Sequence, residues 1–226
     1  MTNINNIEDW NKLLSIAQND DNIIQYEVGC LYDNGLTVND QIIVKEDKKE
    51  AFNWFLLSHE NGNIDATIRT ADFLSEGKYC EKDIELAIKL YEQGIEKGIG
   101  NASSNLATIY RDKKDFKKAF ELYQSAQKMD DSNSIEVALC YHFGIGTEQN
   151  KLIAFDIFLK IVNDISEFSN TEFEIEEANY YLGLYYLEGD IIEKSIEKAR
   201  YYFERANIDN DHRSANEILL IIGRNE

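Results

Sequence analysis

The 226-residue chain contains no proline. Proline breaks helix interiors and punctuates loops, so its absence over this length favours an almost entirely helical protein joined by short turns. Cysteine is scarce as well. Cys30, Cys80 and Cys140 are an odd, scattered set with no close pair, which suits reduced thiols in a cytoplasm better than a disulfide framework or a zinc site. Basic residues are few: 23 Lys and Arg stand against 42 Asp and Glu, a net charge of −19. Phosphate is repelled by such a surface, so nucleic acid is disfavoured as a partner, whereas a basic protein would be steered in by the long-range field. No stretch approaches the ~18 apolar residues of a membrane span. The opening MTNINNIEDWNKLL has neither the basic n-region nor the apolar core of a signal peptide. A cytoplasmic protein with no membrane partner is expected.

What is present is a repeat. Asp47-x-x-x-Ala51-x-x-Trp54-Phe55 returns as Asp83, Ala87 and Leu90-Tyr91, then as Asp115, Ala119 and Leu122-Tyr123. It returns again as Asn150, Ala154 and Ile157-Phe158, and finally as Ser195, Ala199 and Tyr202-Phe203. Each copy opens on a residue whose side chain accepts the free N–H groups of a helix start. The small residue that follows lets another helix approach, and two large apolar groups continue the same face. Gly62, Gly98 and Asn210 fall eleven residues after the alanine, where a left-handed C-cap belongs. A second pattern precedes each copy. It reads Tyr26-x-Val28-Gly29-x-x-Tyr32-x-x-Gly35 in the first unit and Tyr180-x-Leu182-Gly183-x-x-Tyr186-x-x-Gly189 in the fifth. Between them come Thr70-Ala71-x-x-Leu74-x-x-Gly77, Leu106-Ala107-x-x-Tyr110 and Val137-Ala138-x-x-Tyr141-x-x-Gly144. At roughly 100° per residue these positions form one buried stripe of an amphipathic helix.

The double pattern resembles the Sel-one-like repeat family, relatives of the tetratricopeptide repeats, over about residues 22–210. The resemblance implies an all-α, right-handed α-solenoid of about five helix-turn-helix repeats, with about twelve helices, no sheet of consequence and the five alanines buried at helix crossings. A single repeat domain over 1–226 is expected, with an N-terminal cap helix within 1–21, repeats over 22–210 and a C-terminal cap helix within 211–226. Unit spacing varies. The first unit gains about six residues in LTVNDQIIVKE, the third loses its inter-helix loop between Lys113 and Asp115, and an acidic extension, 165–177, precedes the fifth.

In the family the first helices of the pairs line a concave surface that binds partners. The positions opposite the buried stripe are Glu136, Leu139, Cys140 and Phe143 in the fourth unit and Tyr181, Leu184, Tyr185 and Glu188 in the fifth. They are polar in the first three units. Exposed tyrosine is an efficient binding group, so Tyr181 and Tyr185 are candidate anchors unless the 165–177 extension or the C-terminal helix covers them. Between Lys160 and Lys194 there are nine carboxylates and no Lys, Arg or His, whereas a merely soluble surface intersperses signs. Glu172, Glu174, Glu176 and Glu177 are therefore candidate docking charges. They lack the glycine-turned loop of a calcium site. His59, His142 and His212 are isolated, and Gly144-Ile-Gly146 is an inter-helix turn with no strand before it. No catalytic residue, metal site or cofactor is expected.

The expected function is a protein-binding scaffold, monomeric and not an enzyme. The resemblance implies either an immunity protein that neutralises a bacterial toxin, with a basic toxin domain as partner, or a regulatory adaptor with no toxin partner.

Overall fold

Consecutive helices in the computed structural model follow the repeat. The structure describes residues 2–19, 21–130, 134–164, 170–209 and 211–223. Among them are twelve helices: α1 (Ile7–Ala17), α2 (Asn22–Asn34), α3 (Lys48–Glu60), α4 (Ile64–Glu76), α5 (Ile84–Glu96), α6 (Gly100–Asp112), α7 (Phe116–Asp130), α8 (Ser134–Phe143), α9 (Lys151–Asn163), α10 (Glu172–Glu188), α11 (Ile196–Arg205) and α12 (Arg213–Gly223). The fold is all-α, with about five repeats of paired helices. The chain forms two compact units, residues 1–106 and 107–226. In the first, α2 packs on α3, α3 on α4 and α4 on α5; in the second, α7 packs on α8, α8 on α9, α9 on α10, α10 on α11 and α11 on α12.

The five expected capping residues all act as such. Asp47 accepts from the backbone of Lys49 and Glu50, Asp83 from Leu86, Asp115 from Lys118, Asn150 from Ile153 and Ser195 from Lys198. Each of these residues also donates its own backbone N–H to a carbonyl at the tyrosine position of the preceding helix. The acceptors are Tyr32, Leu74, Tyr110, Tyr141 and Tyr186, at 2.8 to 3.0 Å. The linking chain varies in length, but this bond returns it to one place in every repeat. Ala51, Ala87, Ala119, Ala154 and Ala199 are all buried at the crossings. A Cβ on Gly29 would come within 2.7 Å of the Phe55 ring, and one on Gly183 within 2.7 Å of the Phe203 ring. The first and fifth helix pairs therefore share one register. Gly62 and Gly98 take positive φ as expected, and Asn210 lies outside the described residues.

The extra residues of the first unit form a two-stranded antiparallel hairpin, β1 (Leu36–Val38) and β2 (Gln41–Val44). Asn39 and Asp40 turn it, both at positive φ, the conformation of a tight hairpin turn. Ile43 and Val44 bury themselves with Trp10, Leu13 and Val28, which is why an insertion in a helical repeat takes β-branched residues. In the third unit the shortened link forces Lys114 to φ 63°.

A further regularity lies four residues before the Gly or Ala of each first helix. Gln25, Thr67, Ser103, Ser134 and Asn179 are all buried polar side chains. A buried polar group needs a partner, and most of these draw one from the preceding helix end or the turn after its own pair. Gln25 donates to Ala17 O and accepts from Asn61 Nδ2; Thr67 Oγ1 meets His59 Nδ1; Ser134 Oγ accepts from Gln127.

Candidate functional site

Helix α10 carries most of the candidate residues. Thr171 starts it with a reciprocal cap, its hydroxyl bonding the Glu174 backbone while the Glu174 carboxylate returns to the Thr171 N–H. Glu174 is thereby committed to the helix start. Residues 165–169 of the acidic extension lie outside the described residues, and its remainder, from Glu172, is the first part of this helix.

One face of α10 packs into the preceding pair. Tyr185 is 1% exposed, with its hydroxyl 2.6 Å from His142 Nδ1 and its ring edge-on to Phe155. The expectation of a surface anchor at Tyr185 is corrected: it is core. Its contacts come from His142 of α8 and from Phe155 and Phe158 of α9. Tyr181 is half-buried, stacked on Phe158 at 5.1 Å with the rings 3° from parallel. Burial, followed by the Glu177 charge, pushes its phenol up to about 12. The opposite face packs forward. Tyr180, Leu184 and Leu187 join Phe203, Ala206, Ala215 and Ile222, so Leu184 belongs to the joint with α11 and α12 instead of sharing a surface with Tyr181. Leu139 is likewise packed against the core between α8, α9 and α10.

Two rings, one on α8 and one on α10, remain open to solvent. Phe143 is 54% exposed, edge-on to His142 and Tyr181. Phe173 is 69% exposed. It lies at the mouth of an open cleft of about 310 Å³ lined also by Glu176, Glu177, Asp211, His212, Arg213 and Ser214. Phe173, Glu177, Tyr181 and Glu188 follow one another along one side of α10 at helical spacing.

The acidic block is partly answered from elsewhere in the fold. Lys151, at the start of α9, reaches Asp190 at 2.5 Å and Glu188 at 3.7 Å. Its hydrogen bond holds the Asp190 carboxyl below the usual range. His212 caps α12 by accepting the Ala215 N–H at Nδ1, leaving Nε2 3.9 Å from Glu177. Two other carboxyls, Glu136 and Glu176, are shifted upward. Glu136 has a buried oxygen, Oε2, with no hydrogen-bond partner, and burial, with Glu174 nearby, raises its carboxyl despite Arg111. Glu176 is raised by burial and then by Asp211, Glu172 and Asp209, with His212 opposing.

A family model for the Sel1 repeat matches residues 25–63, 64–99, 105–131, 135–161 and 176–209. The chain belongs to the Sel1 repeat family. Such repeats are scaffolds, typically non-catalytic, that generally serve as protein-interaction modules. The crystal structure of a Sel1 repeat protein from Oxalobacter formigenes is 19% identical, aligned over 88% of this chain and 75% of that one with a TM-score of 0.67. A protective antigen of uropathogenic Escherichia coli with an SLR fold is 22% identical over 95% of this chain and 44% of its own, with a TM-score of 0.74. At these identities the likeness is one of fold.

Within a Sel1 stack, a middle helix is covered on two sides by successive repeats. Reading only one buried stripe misses that, and this is why Tyr185 and Leu184 were expected at the surface. Sequence reasoning also passed over Asp209 and Asn179. Asp209 lies within 4.8 Å of both Glu172 and Glu176, carboxylate to carboxylate. The signal was available in the repeat alignment, where Asp209 occupies the place of Asn61. No helix of the described residues is long and apolar enough to cross a membrane.

Proposed function

We propose that this Sel1 repeat chain binds a basic protein through the side of α10 that carries Phe173, Glu177, Tyr181 and Glu188, together with Phe143 of α8, and that the partner is a toxin domain it neutralises. The observation that carries the reading is the exposure of Phe143 and Phe173, the latter lining a cleft in which Glu176, Glu177 and Asp211 outnumber the one permanent cation, Arg213. Large apolar rings at a solvent-facing site supply binding area, and the carboxylates around them select and steer a basic surface. A net charge of −19 favours rapid association with such a partner. An immunity role is the form in which a small acidic scaffold would most directly use that field, by occupying the basic cleft of a delivered nuclease.

The test compares the wild-type chain with a variant carrying Phe143→Ala, Phe173→Ala and Glu177→Gln in capture from the native host. A basic protein retained by the wild type and lost by the variant, with melting temperature nearly unchanged, is the expected result. Co-expression with that protein should restore growth only with the wild type. Equal retention by both forms would overturn the surface, and a retained partner that is harmless to cells would favour a regulatory adaptor.

A further inference from the structure

The first and fifth repeats share three polar positions, two of them with opposite chemistry. In the first, Asn22 Nδ2 donates to the Asn61 carbonyl at 2.7 Å, and Asn61 Nδ2 donates to Gln25 Oε1 at 2.9 Å. The positions equivalent to Asn22, Asn61 and Gln25, counted from Gly29 and Gly183 and from Ala51 and Ala199, are Glu176, Asp209 and Asn179. The shared glycine-to-phenylalanine register makes this equivalence physical as well as sequential. Two amides have become carboxylates, which at neutral pH can only accept.

The third member shows the consequence. Asn179 is fully buried, its Nδ2 donating to Ile175 O at 2.7 Å, and its Oδ1 has no hydrogen-bond partner. Gln25 accepts from the donor Asn61, whereas the position equivalent to Asn61 in the fifth repeat is Asp209, a carboxylate. Glu172, Glu176 and Asn179 lie on one side of α10, and the carboxylate oxygens of Glu172, Glu176 and Asp209 are all within 4.8 Å of one another. An orphaned buried acceptor costs about 1–3 kcal/mol, and clustered carboxylates add repulsion.

We propose that Glu172, Glu176 and Asp209, with Asn179 Oδ1 beneath them, form a binding site for a hard divalent cation, calcium foremost. Oxygen ligands bind calcium at about 2.3–2.6 Å, so two ligands across one ion stand up to about 5 Å apart, the spacing these carboxylates have. Calcium tolerates an irregular oxygen set completed by water, whereas magnesium demands near-octahedral geometry. Bound there, the ion ties the start of α10 to the turn after α11. The site shares Glu176 with the cleft beside Phe173 and requires no protein partner.

Calcium chloride is the probe, added to the full chain after chelator treatment at physiological salt. The wild type should bind it in calorimetry and gain about 3–6 °C in Tm at roughly ten times the dissociation constant. Magnesium should give a smaller shift. Glu172→Gln with Glu176→Gln should abolish the calcium shift. Asp209→Asn should also abolish it, yet raise Tm without calcium, because it restores the donor that Asn61 supplies in the first repeat. An unchanged wild-type Tm with no heat of binding overturns the site, as does an equal calcium response in Asp209→Asn. If Asp209→Asn is stabilised while the wild type ignores calcium, the carboxylates await another cation, such as a partner's Lys or Arg, and the metal assignment fails.

Discussion

At the joint between the first and second repeats, the Arg69 guanidinium lies over the Phe55 ring at 5.5 Å. At the joint between the fourth and fifth, Tyr181 stacks on Phe158 at 5.1 Å. Phe55 and Phe158 are the same repeat position, as are Arg69 and Tyr181. The ring pairs beside them match as well: Phe55 and Phe73 are 6.0 Å apart at 46°, Phe158 and Tyr185 6.4 Å at 45°. One joint is thus built twice, once with a cation over a ring and once with a ring over a ring.

The polar groups around each joint differ accordingly. Asp33 binds Arg69 at 2.6 Å and Lys48 at 3.0 Å, while Arg69 also reaches Asp72, which accepts from Tyr91 and Asn105. The position of Asp33 in the fourth repeat is His142, which burial keeps below its usual pKa and which bonds the Tyr185 hydroxyl instead. Lys151, the counterpart of Lys48, has no carboxylate at that place and turns to Asp190 and Glu188 in the next repeat. A change at one position redirects a lysine across the joint. The lesson is that ring geometry sets the joint, and the charges rearrange around it.

Truncating the shared ring should have the largest effect. Phe55→Ala and Phe158→Ala should each cost about 3–5 kcal/mol in denaturant unfolding, as expected for a buried aromatic. A cost for one well below the other would break the equivalence of the two joints.

The covering residue should separate them. Arg69→Met leaves Asp33 and Asp72 without their guanidinium, and because the Arg69 side chain is 37% exposed the loss should be about 2–3 kcal/mol, below the full cost of breaking a buried pair. Tyr181→Met strands no charge and should cost only about 1–2 kcal/mol, mostly stacking and packing. High salt should shrink the Arg69→Met difference and leave that of Tyr181→Met unchanged. The same salt response for both would erase the distinction between an ionic and an aromatic joint.

The smallest effect belongs to Lys151→Gln, at most about 1 kcal/mol for so exposed a pair. Lys151 depresses the Asp190 carboxyl, so its stabilisation is present above the ordinary carboxylate pKa and is lost as pH falls through the depressed one. The difference between wild type and variant, measured by melting, should therefore exist at neutral pH and vanish in acid. A difference that persists in acid would show that Lys151 acts through packing.

Much of the fold was legible because its signals are local. A capping side chain needs only its own helix start, and the buried alanines follow from periodicity, so the five Asp, Asn and Ser caps and Ala51, Ala87, Ala119, Ala154 and Ala199 were named from sequence alone. The extra residues LTVNDQIIVKE are legible as an insertion, but that they pair as a hairpin is not read from them, although the Asn-Asp turn and β-branched residues carry the signal. At the candidate site, Phe143 is exposed as its place opposite the buried stripe implies, whereas the burial of Tyr185 and the commitment of Glu174 to a cap were decided by neighbours no periodicity names.

The amino-acid sequence by itself determined the repeat, the helix starts and the uneven charge, since each depends on residue type at a fixed spacing along one chain. Only the tertiary structure decided which side of α10 meets water. That depends on helices from two neighbouring repeats closing over Tyr185 and Leu184, on Lys151 reaching back to the acidic block, and on a turn that brings Asp209 beside Glu172 and Glu176. Those contacts are made across distance in sequence, where side-chain volume and loop length, not local pattern, determine who touches whom.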